Sequence, residues 1–231
     1  MKLTYFGHSA FQIETGGSTL LIDPFIDENP LAEGIATSES LDADYILLTH
    51  AHGDHWGDTP SIAKRTGATV VGCFEIGEYL SSKHGYQNSV GANTGGTVSF
   101  DWGRVRLTHA RHSSSFPDGT YGGVACGLLI EAEDRLLYHA GDTEPFYEMG
   151  WISRGRTIDV AMLPIGDRFT MGPESSIKAV ELLKPKAVVP IHYNTFPPIR
   201  VEPDRLEWWR DAVRTAGSEP IVLSPGGSMT V

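Results

Sequence analysis

The segment Thr49-His50-Ala51-His52-Gly53-Asp54-His55 holds four potential metal ligands within six consecutive residues. It follows the apolar run Tyr45-Ile46-Leu47-Leu48, which has the character of a buried strand. A strand that ends in H-x-H-x-D-H presents imidazoles and a carboxylate at its carboxyl end, where α/β proteins place their chemistry. The chain has only nine histidines, so three of them within six positions indicate a metal site rather than a polar loop that is rich in histidine by chance.

Three further candidate ligands also follow apolar strand patterns. His112 comes after the predicted strand 105–109, Asp142 after the strand 135–139, and His192 after the strand 187–191. A single histidine at a strand end is usually structural. Here, however, a potential ligand follows an apolar strand three more times in a chain that also contains H-x-H-x-D-H. This recurrence predicts several strands whose ends converge on one pocket.

The remaining sequence alternates between strand-like and helix-like segments. Further strands are predicted at 2–6, 10–15, 19–23, 45–49, 69–73, 97–100, 124–131, 160–165, 221–223 and 229–231. Helices are predicted at 60–66, 75–83, 145–154, 174–183 and 204–216. Gly16-Gly17 predicts a hairpin turn, and residues 24–43 predict a long loop of the kind that often covers a site. No Pro/Ser-rich linker divides the chain, so we expect one domain over residues 1–231.

Composition excludes several classes of function. A net charge of −11 over 231 residues, without a clustered run of Lys and Arg, argues against a nucleic-acid scaffold role. No apolar run is long enough to span a membrane, and the N-terminus lacks a signal-peptide core. Cys73 and Cys126 lie in apolar surroundings, which favours buried, reduced thiols and a cytoplasmic location. We expect a small-molecule substrate, while association into a homo-oligomer is left open.

The complete pattern closely resembles the metallo-β-lactamase superfamily. The flanking motifs narrow the resemblance to the UPF0173 metal-dependent hydrolases, which are related to the ascorbate-lactonase and N-acyl-phosphatidylethanolamine phospholipase D branches. These motifs are Gly7-His8-Ser9-Ala10-Phe11, Gly141-Asp142-Thr143, Pro164-Ile165-Gly166 and Pro190-Ile191-His192-Tyr193. The resemblance implies an α/β fold, a four-layer αββα sandwich of two mostly antiparallel sheets flanked by helices. It also implies a metal pair in a cleft at one edge.

The resemblance further implies how the ligands are shared between two divalent ions. The first ion would be held by His50, His52 and His112, and the second by Asp54, His55 and His192, with Asp142 as the bridge. Asp54 and Asp142 would be the catalytic carboxylates. A hydroxide bridging the two ions would be the nucleophile. We expect Zn²⁺, although Mn²⁺, Ni²⁺ and Fe²⁺ also suit these ligands.

Four polar residues outside this set are candidates for supporting roles. By resemblance, His8 is a candidate for a group that contacts a metal ligand or orients the substrate, and Asp23 is expected to hydrogen-bond a ligating histidine. His109 and His139 lie three residues before His112 and Asp142 respectively. Residues three apart on a strand point to opposite faces, which favours structural roles, with ligation by His109 as the alternative.

The leading functional hypothesis is a metal-dependent hydrolase that acts on a phosphodiester or on a lactone or related ester. The alternative is an iron-dependent redox enzyme of the thiol-dioxygenase kind on the same scaffold. Such an enzyme would need only one iron, so the additional ligands argue against it. A non-catalytic metal-binding module is the third hypothesis, and it is disfavoured by the complete ligand set.

Overall fold

The computed structural model describes residues 1–231, and it contains fourteen strands and five α-helices. The strands are β1 (Lys2–Gly7), β2 (Ala10–Thr15), β3 (Ser18–Ile22), β4 (Tyr45–Leu47), β5 (Thr69–Cys73), β6 (Ser89–Ala92), β7 (Thr97–Phe100), β8 (Gly103–His109), β9 (Cys126–Ala132), β10 (Arg135–His139), β11 (Val160–Pro164), β12 (Ala187–Ile191), β13 (Glu219–Pro220) and β14 (Ser228–Thr230). The helices are α1 (Gly53–Trp56), α2 (Thr59–Thr66), α3 (Phe74–His84), α4 (Pro173–Leu183) and α5 (Pro203–Thr215). Two short 3₁₀ helices span Tyr147–Trp151 and Pro197–Ile199.

The strands form two seven-stranded sheets of the same design. The first has the order β14-β1-β2-β3-β4-β5-β6, and the second has the order β13-β12-β11-β10-β9-β8-β7. In each sheet three neighbouring pairs are antiparallel and three are parallel. The expectation of mostly antiparallel sheets is therefore wrong, and both sheets are mixed. The parallel pairs arise because crossover connections return the chain in the same direction between strands. Two of the three in each sheet contain helices, α2 and α3 in the first and α4 and α5 in the second, while the third is the loop 24–43 or the segment with the 3₁₀ turn Tyr147–Trp151.

Three apolar clusters define four layers. The cluster between the sheets takes side chains from both of them, among them Phe11, Ile22, Leu128 and Val189. A second cluster covers the outer face of the second sheet beneath α4 and α5. A third lies between the first sheet and the helices α2 and α3. The predicted αββα sandwich is thus confirmed.

Most predicted elements are present, and the exceptions have local causes. The helix predicted at 145–154 is only the 3₁₀ turn Tyr147–Trp151, and Gly150 in its interior disfavours a longer helix. The strand predicted at 221–223 instead pairs at Glu219–Pro220. Strand β6 was not predicted, since its polar and small residues lack an alternating pattern. The loop over residues 24–43 contains turns but no helix or strand, as predicted.

The fold bears on the predicted state of the cysteines and on the prediction that no segment spans a membrane. Cys73 and Cys126 are buried and form no disulfide, as expected for structural thiols. None of the helices combines the length and the apolar composition that crossing a bilayer requires.

Candidate metal centre

The candidate ligands lie at one edge of the sandwich because six strands end there. Strands β1, β3 and β4 run in the same direction in the first sheet, as do β8, β10 and β12 in the second. The residues that follow these strands are His8, Asp23, the segment 50–55, His112, Asp142 and His192. Side chains that are far apart in sequence therefore meet where the carboxyl ends of the strands converge.

Ligand atoms of these residues form three overlapping groups, and within each group all atoms lie within 4.8 Å of one another. One group consists of His50, His52 and His112. A second consists of His8, Asp54, His55 and His192. A third joins His50 and His55 to Asp142. The structure thus brings together all seven predicted ligands and adds His8 to them.

Asp142 occupies the middle of the constellation. Its Oδ2 lies 3.5 Å from His112 Nε2, 4.0 Å from His50 Nε2 and 3.0 Å from His192 Nε2. Its Oδ1 lies 3.2 Å from His55 Nε2. The Asp142 carboxylate therefore faces His50 and His112 of the first group as well as His55 and His192 of the second. A ligand that bridges two cations requires this arrangement.

Several buried polar atoms at this point have no hydrogen-bond partner. They are His55 Nε2, Asp142 Oδ1 and both ring nitrogens of His192. A buried polar atom left unpaired costs about 1–3 kcal/mol, so such atoms ordinarily find a partner. Unpaired nitrogen and oxygen atoms that converge in this way can serve as ligands of a divalent cation. Imidazole with carboxylate is a ligand set typical of zinc. The residues present therefore fit a metal centre.

The electrostatics favour positive charge at the same place. Burial disfavours protonation of His192, yet the nearby carboxylates of Asp142 and Asp54 raise its pKa to about 9. Burial likewise opposes protonation of His55, whose pKa is nevertheless raised by Asp142 and Asp23. Burial opposes ionisation of Asp142, but His192 and His55 lower its pKa. Carboxylates concentrated in a buried site attract protons when no cation is bound, so cation binding must displace protons.

A buried carboxylate orients two of the imidazoles. Asp23 accepts hydrogen bonds from the Thr49 amide at 2.8 Å, the Thr49 hydroxyl at 2.6 Å and His55 Nδ1 at 2.8 Å. Because the Thr49 hydroxyl donates to Asp23, it accepts from His50 Nδ1 at 3.0 Å. Once a cation displaces the additional proton, both imidazoles would keep their proton on Nδ1 and leave the Nε2 lone pair for the cation. The predicted contact of Asp23 with a ligating histidine is present.

His8 contacts the other carboxylate of the centre. Its Nε2 lies 3.0 Å from Asp54 Oδ2, and its Nδ1 lies 2.8 Å from Thr195 Oγ1. Burial and the neighbouring His192 lower the pKa of His8 to about 4. A neutral His8 therefore donates from Nε2 to Asp54 and accepts the Thr195 hydroxyl at Nδ1.

His109 and His139, the two histidines with predicted structural roles, lie outside the ligand groups. His139 is buried, donates from Nε2 to the Ser9 carbonyl at 3.0 Å and accepts the Gly141 amide at Nδ1 at 3.1 Å. Both ring nitrogens are satisfied, so His139 holds the turn that precedes Asp142. His109 is exposed on β8 and stacks edge-on against Phe146. It joins no ligand group, in agreement with the structural interpretation.

Backbone strain accompanies the site. His8, Asp23 and His192 have φ values of 57°, 44° and 53°, in the left-handed region that residues other than glycine rarely adopt. Such residues cost about 1–3 kcal/mol each and persist only where the surroundings hold them. Each follows directly on the end of a strand, so the unusual backbone turns its side chain into the cleft.

Comparison with known proteins identifies the family. Residues 18–193 match the family described as the beta-lactamase superfamily domain. A UPF0173 metal-dependent hydrolase of Salinibacter ruber is 45% identical over 98% of both chains. Another, from Thermus thermophilus, is 49% identical over 98% of this chain and 97% of its own. The chain belongs to the UPF0173 metal-dependent hydrolases.

A solved structure of similar fold supports the assignment to a metal-dependent hydrolase family. The structure of a metallo hydrolase from the hyperthermophilic archaeon Ignicoccus hospitalis is 42% identical, with a TM-score of 0.88, over 100% of this chain and 97% of that one. Membership of the UPF0173 hydrolases does not favour the iron-dependent redox alternative.

Sequence reasoning missed two hydroxyl groups of this UPF0173 site. Thr49 directly precedes His50 and links that imidazole to Asp23, a role that the H-x-H-x-D-H motif alone does not indicate. Thr195 gave no signal at all, because it lies 187 residues from His8 in the chain. Only the folding of both sheets against each other brings that pair into contact.

Proposed function

We propose that the protein hydrolyses a phosphodiester, or a lactone or related ester, at a centre of two divalent cations. The observation that carries this proposal is the convergence of seven ligand side chains around Asp142, with buried ring nitrogens and a carboxylate oxygen that have no hydrogen-bond partner. Two cations at such a centre lower the pKa of a coordinated water towards neutrality and polarise the substrate oxygen.

The geometric groups support a division of the ligands. We assign His50, His52 and His112 to the first cation, because their ligand atoms form one group. We assign Asp54, His55 and His192 to the second, because theirs form another. Asp142 faces members of both groups, which supports a bridging role for it. We propose zinc as the resident metal because imidazole and carboxylate together are typical zinc ligands, while manganese, nickel and iron also suit them.

Exposure indicates the side from which a substrate approaches. The Asp142 and His192 side chains are each only 3% exposed, whereas the Asp54 side chain is 33% exposed and that of His112 14%. Substrate would therefore reach the centre past Asp54 and His112. Asp54 is held in place there by His8 and His192, and we propose that it orients the reacting water as well as binding metal.

The Asp142→Asn variant tests this function. Turnover of bis-p-nitrophenyl phosphate and of an aryl lactone is measured with protein reloaded with Zn²⁺ or Mn²⁺, and metal content is determined on the same samples. An amide is uncharged and a poorer metal ligand than a carboxylate, so we expect turnover to fall by more than about 100-fold. Even the loss of a residue that only hydrogen-bonds to a metal ligand lowers metal affinity or activity by about 10–100-fold. Asp101→Asn, which removes an exposed carboxylate in the β7–β8 turn, is the matched control and should retain full turnover.

Comparing turnover of the two substrates separates phosphodiesterase activity from lactonase or esterase activity. Turnover of the diester alone assigns a phosphodiesterase, and turnover of the lactone alone assigns a lactonase or esterase. Wild-type-like turnover by Asp142→Asn would contradict the two-cation centre. A wild-type protein that holds two cations and turns over neither substrate class would contradict the proposed substrates.

A further inference from the structure

Four arginines line one small cavity far from the metal centre. Arg104 and Arg106 alternate along β8 with the core residues Val105 and Leu107. They therefore face outward from the second sheet. Arg154 and Arg156 reach the same cavity from the turn that follows the 3₁₀ helix. Arg104 begins the strand whose opposite end is His109, so roughly 17 Å of strand separates it from the metal-centre edge.

The cavity has a large excess of positive charge. Its only carboxylate is Glu131, which pairs with Arg104 at 2.8 Å and also with Arg156. No salt bridge joins Arg106 or Arg154 to an acidic group. Arg106 makes only a 3.4 Å hydrogen bond, from Nε to the Gly95 carbonyl.

This concentration is unusual for a chain of net charge −11 with only 18 lysines and arginines. Of the eight arginines elsewhere, all but Arg168 pair with nearby carboxylates; these seven are Arg65, Arg111, Arg135, Arg200, Arg205, Arg210 and Arg214. Here burial and the neighbouring Arg154 lower the pKa of Arg106. A guanidinium remains protonated even so, and the two unpaired groups therefore repel each other until an anion lies between them.

We propose that this cavity binds a small phosphorylated anion, a site separate from the metal centre. Planar guanidinium forks match phosphoryl oxygens and bind them in bidentate fashion. The cavity volume is about 160 Å³, the liquid volume of about five water molecules, which leaves room for one phosphoryl group together with water. Thr97 adds a hydroxyl to the lining. The strongly negative remainder of the chain repels a polynucleotide, which favours a small anion over nucleic acid.

Calorimetric titration with inorganic phosphate and with ADP tests this site. It is done at low ionic strength, on the metal-loaded protein and on protein dialysed against a chelator. The test variant is R106Q/R154Q. The matched control is R210Q/R214Q, which removes the same charge from α5, where both arginines pair with neighbouring acids. We expect R106Q/R154Q to bind at least about tenfold more weakly, because it loses two charge-assisted contacts, and the control to bind within about twofold of the wild type.

The outcomes separate this proposal from the function of the metal centre. Binding that survives chelation and is lost in R106Q/R154Q supports the arginine site, whatever the hydrolase assays show. Equal affinities for phosphate and ADP identify a site for free phosphate, and tighter binding of ADP identifies a nucleotide site. Equal binding by R106Q/R154Q and R210Q/R214Q, or no binding after chelation, overturns the proposal. So does an oligonucleotide that binds more tightly than ADP. Thermal melts verify that each variant is folded, and the single variants R106Q and R154Q replace the double one if it is not.

Discussion

Replacing Asp23 by asparagine should weaken metal binding although Asp23 belongs to none of the three ligand groups. The Asp23 carboxylate is completely buried and accepts three hydrogen bonds, two from Thr49 and one from His55 Nδ1. An asparagine can still accept the Thr49 amide through its carbonyl oxygen. Its NH₂ group is a donor, so it cannot accept the proton of His55 Nδ1.

The size of the effect follows from this mismatch. In Asp23→Asn, His55 relieves the donor–donor conflict by moving its proton to Nε2, which removes the lone pair directed at the centre. A hydrogen bond to a charged group contributes about 1.5–3 kcal/mol, which corresponds to a change of about 10–100-fold in an equilibrium constant. The same range is found when partners of metal-ligating histidines are removed. We therefore expect the second cation to bind about 10–100-fold more weakly.

Competition titration against a chromophoric chelator measures the two dissociation constants, and turnover is measured on the same samples. The matched control is Asp58→Asn, because Asp58 accepts bonds from the backbone amides of Ile26 and Asp27 and contacts no imidazole. It should bind both cations within about twofold of the wild type. If Asp23→Asn is folded and binds both cations like the wild type, the reasoning about the orientation of His55 is refuted.

Three further predictions concern other contacts. Thr49→Val removes the hydroxyl that fixes His50, so the first cation should bind about tenfold more weakly, and Thr49→Ser should restore binding in the same titration. Removing the cations should lower Tm by about 8–16 °C for each cation lost, relative to protein with free metal at 1,000 Kd; an unchanged calorimetric Tm would contradict a metal-stabilised fold. The Met1 ammonium, the Gly16 amide and the Thr15 hydroxyl lower the pKa of Glu133 from 4.5 to about 2. The stabilisation of the fold by the ionised Glu133 carboxylate is present above pH 4.5 and is lost as pH falls to about 2. Thermal melts over that pH interval should therefore show a smaller loss of stability for Glu133→Gln than for the wild type.

Much of the architecture was predictable because its causes are local. Apolar strands bounded by glycines, such as the β2–β3 hairpin with Gly16-Gly17 at its turn, are formed as predicted. The proportion of parallel pairing was predicted wrongly, because strand direction depends on how the connecting helices pack. Strand β6 was missed for a related reason. Its residues have little intrinsic strand character, and pairing with β5 stabilises it.

The sequence by itself determined the chemistry of the centre. Donor atoms belong to residue types, and the close spacing of His50, His52, Asp54 and His55 after a strand places them together in any fold of this kind. The tertiary structure alone decided which atoms orient these ligands and where positive charge gathers. The contacts of Asp23 with His55 and of His8 with Thr195, and the shared cavity of Arg106 and Arg154, join elements that are distant in the chain. Such contacts depend on strand direction, on strained backbone at strand ends and on the packing of one sheet against the other, because no local pattern encodes the distance between two side chains on different elements.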